Sequence, residues 1–219
     1  MSNLRSQQPS SKTSGMMLSV LMKMGKWKEA HRLIRFGKNE LISIHKSSFR
    51  GSKELVSQFS LACRYRPPLG FMNSLLELYP LAAFEVDYKG RTPLHLLCQY
   101  GASPNVVKAI FRNNPQALLQ KDAMGMLPIH KVCSFYYKNT SKSFSEITTQ
   151  ERMINVIKML LSHNPKTIQE KDDNEKCPIE HALESGVNIH VIKTLQVIAA
   201  RVVKKTDANR RCYLPQGVH

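Results

Sequence analysis

Acidic residues are scarce in this 219-residue chain: 16 Asp and Glu stand against 32 Lys and Arg. Long apolar runs are missing. No stretch approaches the roughly 18 residues that a membrane-spanning helix needs. The five cysteines are scattered, which does not fit a small disulfide scaffold and suits a reducing compartment. There is no Gly-rich phosphate loop and no HExxH, CxxC or GxSxG motif, so the common sequence signals for nucleotide binding, zinc proteolysis, dithiol exchange and serine hydrolysis are lacking. The 42% of apolar residues, close to the globular average, argues against disorder throughout. The length suits one or two domains.

The charge is uneven. Residues 1–50 hold ten Lys/Arg and two acids, a net +8, and residues 201–219 hold five and one, a net +4. The 150 residues between them carry only +4. Basic ends can meet nucleic acid, an acidic protein face or an anionic membrane, or simply keep the flanks solvated. The Lys204-Lys205 and Arg210-Arg211 pairs are too sparse for a firm nuclear signal. Residues 1–14 are polar and Ser-rich and read as a disordered leader. Met16–Met22 is too short for a secretory core and reads as the amphipathic start of a first helix within residues 1–25, with an organellar transit segment as the alternative.

One segment repeats. Asp87, Gly90, Pro93, His95 and Cys98 recur 35 residues later as Asp122, Gly125, Pro128, His130 and Cys133. Cys63 and Pro80 precede Cys98 and Pro115 by the same 35, and Asp172, Pro178 and Ile179 follow Asp122, Pro128 and Ile129 by 50. Four units result, 57–86, 87–121, 122–171 and 172–200, the third enlarged by 15 residues. The Asp-x-x-Gly segments are turns, with Gly at a φ > 0 position. Pro93 and Pro128 open a short first helix, and Gly101 and Gly186 end it. Ser103 and Asn188 are placed to cap a second helix. That helix repeats one apolar pattern, as in Val106, Val107, Ile110 and Phe111, and Tyr79-Pro80, Asn114-Pro115 and Asn164-Pro165 stop it. Such a stripe is buried only when neighbouring units stack.

Thr92-Pro93-Leu94-His95-Leu96-Leu97-Cys98 resembles the signature of the ankyrin repeat family, and the resemblance covers about residues 57–200. It implies an all-α, ankyrin-type solenoid of stacked helix pairs with connecting turns. Unit four has Glu180 in place of the signature His, and unit one lacks the signature Pro and His. Lys26–Phe36 looks like a degenerate leading helix that caps the stack, within a 26–56 segment whose residues 38–56 read as a loop, with Leu41–Ile44 extended. A last helix over about 189–203 turns basic, and 201–219 reads as a basic tail. The insertion falls near Tyr136–Gln150, and Thr148-x-x-Glu151 reads as the capping box of a second helix starting there.

His95/Cys98 and His130/Cys133 have the i, i+3 spacing that would put two zinc ligands, or a Cys/His nucleophile pair, on one helix face. Equivalent positions in stacked units lie a whole repeat apart, which argues against a shared metal. The resemblance implies instead that the His ties adjacent turns together and the Cys fills a small buried site. It also implies a non-enzymatic protein-interaction module, an adaptor or scaffold, without metal or cofactor. The chain is expected to be monomeric and, from its scattered cysteines, to work in cytoplasm or nucleus. Tyr65, Tyr100 and Phe135, 35 apart, form an aromatic ladder that the resemblance places on the concave face. Arg64, Gln99, Lys131 and Tyr136 lie beside it, with Lys89, Arg91, Met124 and Met126 at the turn tips. Aromatics among cations suit an acidic, partly apolar partner segment. The competing reading makes the basic ends the binding elements, for nucleic acid or an anionic membrane, with the repeats as a spacer.

Overall fold

Proline before each apolar stripe and glycine after it divide the chain into helix pairs. The computed structural model describes residues 11–36, 58–135 and 146–212, with side chains at 16–35, 58–134 and 149–202. Within these residues the protein is all-α. The first pair is α1 (Ser11–Lys23) and α2 (Trp27–Phe36), the second α3 (Gln58–Arg64) and α4 (Leu69–Leu78), and the third α5 (Pro93–Tyr100) and α6 (Pro104–Asn113). The fourth is α7 (Pro128–Phe135) and α8 (Glu146–His163), the fifth α9 (Pro178–Ser185) and α10 (Ile189–Cys212). Turns of 3-10 helix at Pro80–Phe84, Pro115–Leu118 and Pro165–Ile168 follow α4, α6 and α8. No helix among the described residues is long and apolar enough to cross a membrane.

The pairs stack in two layers. The first helices touch in chain order, α1 on α3, α3 on α5, α5 on α7 and α7 on α9, and the second helices do the same from α2 to α10. Their apolar stripes meet in one continuous core, in which Leu94, Ile110, Ile129 and Leu160 are fully buried. Burying each such side chain stabilises the fold by about 1.5–3 kcal/mol.

Local chemistry sets the ends of each helix. Thr92 caps α5 in extended backbone, and its hydroxyl accepts from the His95 amide. Gly101 ends α5 at φ 71°, with its N–H bonded to the Leu97 carbonyl. Arg66, 35 residues earlier, takes the same left-handed conformation at φ 53° without being glycine, and its Nε donates to the Tyr100 carbonyl at 2.9 Å. Ser103 stands at the cap of α6, yet its hydroxyl makes no cap bond, whereas the Asn188 side chain accepts from the His190 amide at 2.9 Å. Buried Asn114 does more than stop α6: its Nδ2 donates to the Ala83 carbonyl of the preceding unit at 3.0 Å.

Three boundaries differ from expectation. Helix α1 reaches back to Ser11 and pairs with α2, so the leading helix is half of a complete fifth unit rather than a lone cap. Leu18 and Met22 of α1 and Ala30 and Ile34 of α2 are buried against the next pair. Helix α8 begins at Glu146, before the expected capping box, so the end of the insertion lengthens the helix by half a turn or more. Helix α10 continues to Cys212, well into the segment expected to be a tail. The expected loop at 38–56 with its extended Leu41–Ile44, most of the polar leader, and residues 136–145 of the insertion lie outside the described residues.

Candidate interaction surface

Each Asp-x-x-Gly segment closes a tight turn. The Asp87 amide donates to the Arg91 carbonyl at 3.0 Å, and the Gly90 amide to the Asp87 carbonyl at 2.9 Å. The same pair of bonds recurs at Asp122/Met126 with Gly125 and at Asp172/Lys176 with Glu175. Consecutive turns are laced together, Ala123 N–H to the Lys89 carbonyl at 2.9 Å and Asp173 N–H to the Met124 carbonyl at 3.2 Å. Gly125 is needed twice over. Its φ is +69°, and a Cβ there would overlap the Asp173 side chain and come within 2.7 Å of its amide nitrogen. Glu175 holds this position in the last turn at φ 60°, a conformation that costs an L-residue about 1–2 kcal/mol. Its side chain offers little in return, an exposed ion pair with Lys171 at 3.0 Å. Glu175→Gly should therefore raise stability by about 0.5–1 kcal/mol, after allowing for glycine's greater freedom in the unfolded chain. A urea midpoint that stays put or falls would show that no strain is relieved there.

The side chains of the turn aspartates are buried and each has a basic partner, though not the same one. Oδ1 of Asp87 accepts the Lys89 and Arg91 amides at 2.9 and 3.0 Å. Its Oδ2 accepts from Arg91 Nε at 2.9 Å and a terminal guanidinium nitrogen at 2.6 Å, with Arg64 at 3.5 Å. Asp122 repeats the amide bonds with Met124 and Met126 but pairs with Lys131 on α7, at 2.6 Å. Asp172 accepts the Asn174 and Lys176 amides and pairs with His181 on α9, at 2.8 Å. Burial alone would raise these carboxyls, but the hydrogen bonds outweigh it and hold all three below the ordinary carboxylate range. Burial lowers the pKa of Lys131 from its ordinary value, and Asp122 opposes that shift.

The signature histidines are fully committed. His95 Nδ1 accepts from the Thr92 amide at 3.2 Å and Nε2 lies 3.0 Å from the Met126 carbonyl one unit on. His130 Nδ1 accepts from the Leu127 amide at 3.0 Å, and its Nε2 lies 3.0 Å from the Glu170 carbonyl. An Nδ1 that accepts makes Nε2 the protonated nitrogen, so both rings are neutral and donate to the next unit. Burial pushes both pKa values down, to about 4. Cys63, Cys98 and Cys133 are buried free thiols whose pKa burial drives up, the opposite of what a nucleophile needs. Among the described residues no group of three His, Cys, Asp or Glu is placed to hold a metal ion.

With these residues internal, the expected surface changes. Arg91, Met126 and Lys131 are not exposed at the turn tips or beside a ladder: all three are buried, and the two cations neutralise turn aspartates. Gln99 accepts a hydrogen bond from Arg91 at 2.8 Å, and Arg64 is half-buried near Asp87. Of the ladder, Tyr65 is exposed, while Tyr100 is half-buried against the core. The side chain of Phe135 and the whole of Tyr136 lie outside the described residues. Lys89 and Met124 are exposed at the tips as expected.

The structure adds residues that pattern reading missed. Tyr88 is 67% exposed, with the Lys89 ammonium 5.6 Å from its ring centroid. Phe84 and Val86 just before it, and Leu119 at the Phe84 position one unit on, are also more than half exposed. The signal was present: an aromatic in the second position of an Asp-x-x-Gly turn, where polar residues belong. The tip row is thus apolar and cationic at Tyr88-Lys89 and Met124, and acidic at Asp173 and Glu175. No protein-family model matches the chain, and no match to a curated protein was found.

Proposed function

We propose that the protein is a non-enzymatic protein–protein interaction module of the ankyrin-repeat type, a monomeric adaptor or scaffold of the cytoplasm or nucleus. The observation that carries this reading is the row of turn tips. It is laced by backbone hydrogen bonds, anchored by buried histidines, and exposes Phe84, Val86, Tyr88 and Met124 around Lys89. Rigid loops that present aromatic and methionine side chains are the composition of an interface rather than of a solvated surface. The partner that fits is an acidic, partly apolar protein segment, bound toward the Tyr65 and Tyr88 side, since the far tips carry Asp173 and Glu175. Committed histidines and buried thiols support a role without catalysis or cofactor.

The alternative, docking of the basic ends on nucleic acid or an anionic membrane, draws on α10, whose run to Cys212 carries Arg201, Lys204, Lys205, Arg210 and Arg211 on one helix. Affinity capture with the wild-type chain, a Tyr88→Ala variant and a chain ending at residue 203 separates the two. The expected result is a protein partner whose binding Tyr88→Ala weakens by at least about 1 kcal/mol, with unchanged melting temperature and unaffected by the truncation. Lys89→Glu should act mainly on association rate and its salt dependence. Binding indifferent to Tyr88→Ala but lost on truncation, with a steep salt dependence, would assign the function to the basic end.

A further inference from the structure

The first helix pair carries an apolar stripe that the stack does not use. The outermost described unit of a stack is expected to turn a polar face outward. Here Met17, Val20 and Met24 are 53%, 50% and 61% exposed, and Leu21 between them is half-buried. Positions 17, 20, 21 and 24 follow i, i+3, i+4, i+7, one face of a helix, while Leu18 and Met22 point to the other side and are buried against the next unit. Between α1 and α2 this outer face opens into a groove of about 290 Å³ lined by Met17, Leu21 and Leu33, with Glu29 and Arg32 also contributing. The walls are firmly seated. Trp27 packs edge-on to Phe71 of α4 with ring centroids 5.1 Å apart, and His31 Nε2 lies 2.8 Å from Ser74 Oγ.

The surroundings are cationic. Residues 16–36 contain Lys23, Lys26, Lys28, Arg32 and Arg35 against Glu29 alone, a net +4, and all six of these side chains are exposed. We infer that this end of the stack is a second docking surface, separate from the turn tips, which takes an acidic amphipathic helix of another protein. The apolar stripe and groove match the spacing of a helix laid into a groove. The methionines adapt to its side chains, and the cations complement acids on its outer flanks. A second copy of this chain is disfavoured as the occupant, because the basic carboxy-terminal segment, +4 over 201–219, would meet a like charge.

The test uses the full chain and a blocked, fluorescein-labelled helical peptide with leucines on one face and glutamates on the rest. Sequence-scrambled and lysine-for-glutamate versions serve as controls. The glutamate peptide should bind, with Val20→Asp and Arg32→Glu each weakening it about tenfold. Both sites are at the surface, so melting temperatures should not move, and Tyr88→Ala should leave this binding intact. The inference is overturned if the scrambled or lysine peptide binds as well, or if neither substitution matters. It is equally overturned if the peptide fails to bind and Val20→Asp instead abolishes association with phosphatidylserine vesicles or a concentration-dependent doubling of mass.

Discussion

Taken from pH 7.5 to pH 4.5, the protein should lose about 5 kcal/mol of stability, a third or more of the roughly 5–15 kcal/mol that a folded domain possesses. The cause is the pair of signature histidines. Both are buried and neutral, with pKa values of about 4 in the fold against about 6.5 in the unfolded chain. Above pH 6.5 neither state holds the proton and the fold has its full stability. Between pH 6.5 and 4 the unfolded chain takes up protons that the folded one refuses, so acid favours unfolding by up to about 1.4 kcal/mol per pH unit for each ring. Around His95 stand Asp122, Lys131 and Arg91, and around His130 stand His181 and Asp172; burial outweighs the carboxylates in both cases. The turn aspartates add to the loss only below about pH 4, where their unfolded forms protonate. Urea unfolding followed from pH 7.5 to 4.5 should therefore report nearly two protons bound on unfolding, and His95→Gln should remove one of them. A stability that stays level between pH 7 and 5 would mean the rings are not held neutral.

The parts of this fold legible in sequence were those where chemistry forces a residue type. The Asp-x-x-Gly turns, the Gly101 and Gly186 helix ends, and the His95 and His130 positions each repeat because left-handed backbone favours glycine, though Arg66 and Glu175 also adopt it, or because a bond to the next turn uses the histidine ring. The helix start at Met16–Met22 and the leading helix at Lys26–Phe36 were read, but not as a further unit, because their equivalences lie 41 residues before Phe59 and Cys63 and 42 before Met72 and Leu76, with no Asp-x-x-Gly turn or signature to mark them. Arg91 and Lys131 were misplaced for a physical reason: lone cations near turns default to solvent. Their true signal is joint rather than positional. Each turn aspartate has a basic side chain four or nine residues on, Arg91 for Asp87, Lys131 for Asp122 and His181 for Asp172. A fixed-frame comparison looks for identity at one position and cannot see a counter-charge that moves between two. On the exposed face Lys89 and Met124 were legible from their places in the turns, whereas Tyr88 was missed although an aromatic there breaks the local rule.

That movable counter-charge makes the second large effect testable in a way ordinary truncation is not. Asp122→Ala should cost about 3–5 kcal/mol, because it removes the acceptor for the Met124 and Met126 amides and the counter-charge of Lys131, which is 3% exposed. Lys131→Leu should cost somewhat less, about 2–3 kcal/mol, since Asp122 keeps its two amide bonds while losing its cation. The leucine itself is compatible with the site: Leu96 holds the same register position in the preceding unit and is fully buried. In that unit the aspartate is served from four residues on, by Arg91, and the residue at the Arg91 position of unit three is Met126. Adding Met126→Arg to Lys131→Leu transplants that arrangement, and the double variant should recover to within about 1 kcal/mol of wild type. The His95 tie survives the exchange, because it uses the Met126 carbonyl and not its side chain. Urea unfolding of the two single variants and the double one decides the matter. If Lys131→Leu alone is neutral, the buried pair contributes no net stability. If the double variant is no better than Lys131→Leu, the two units do not build their turns around interchangeable cations.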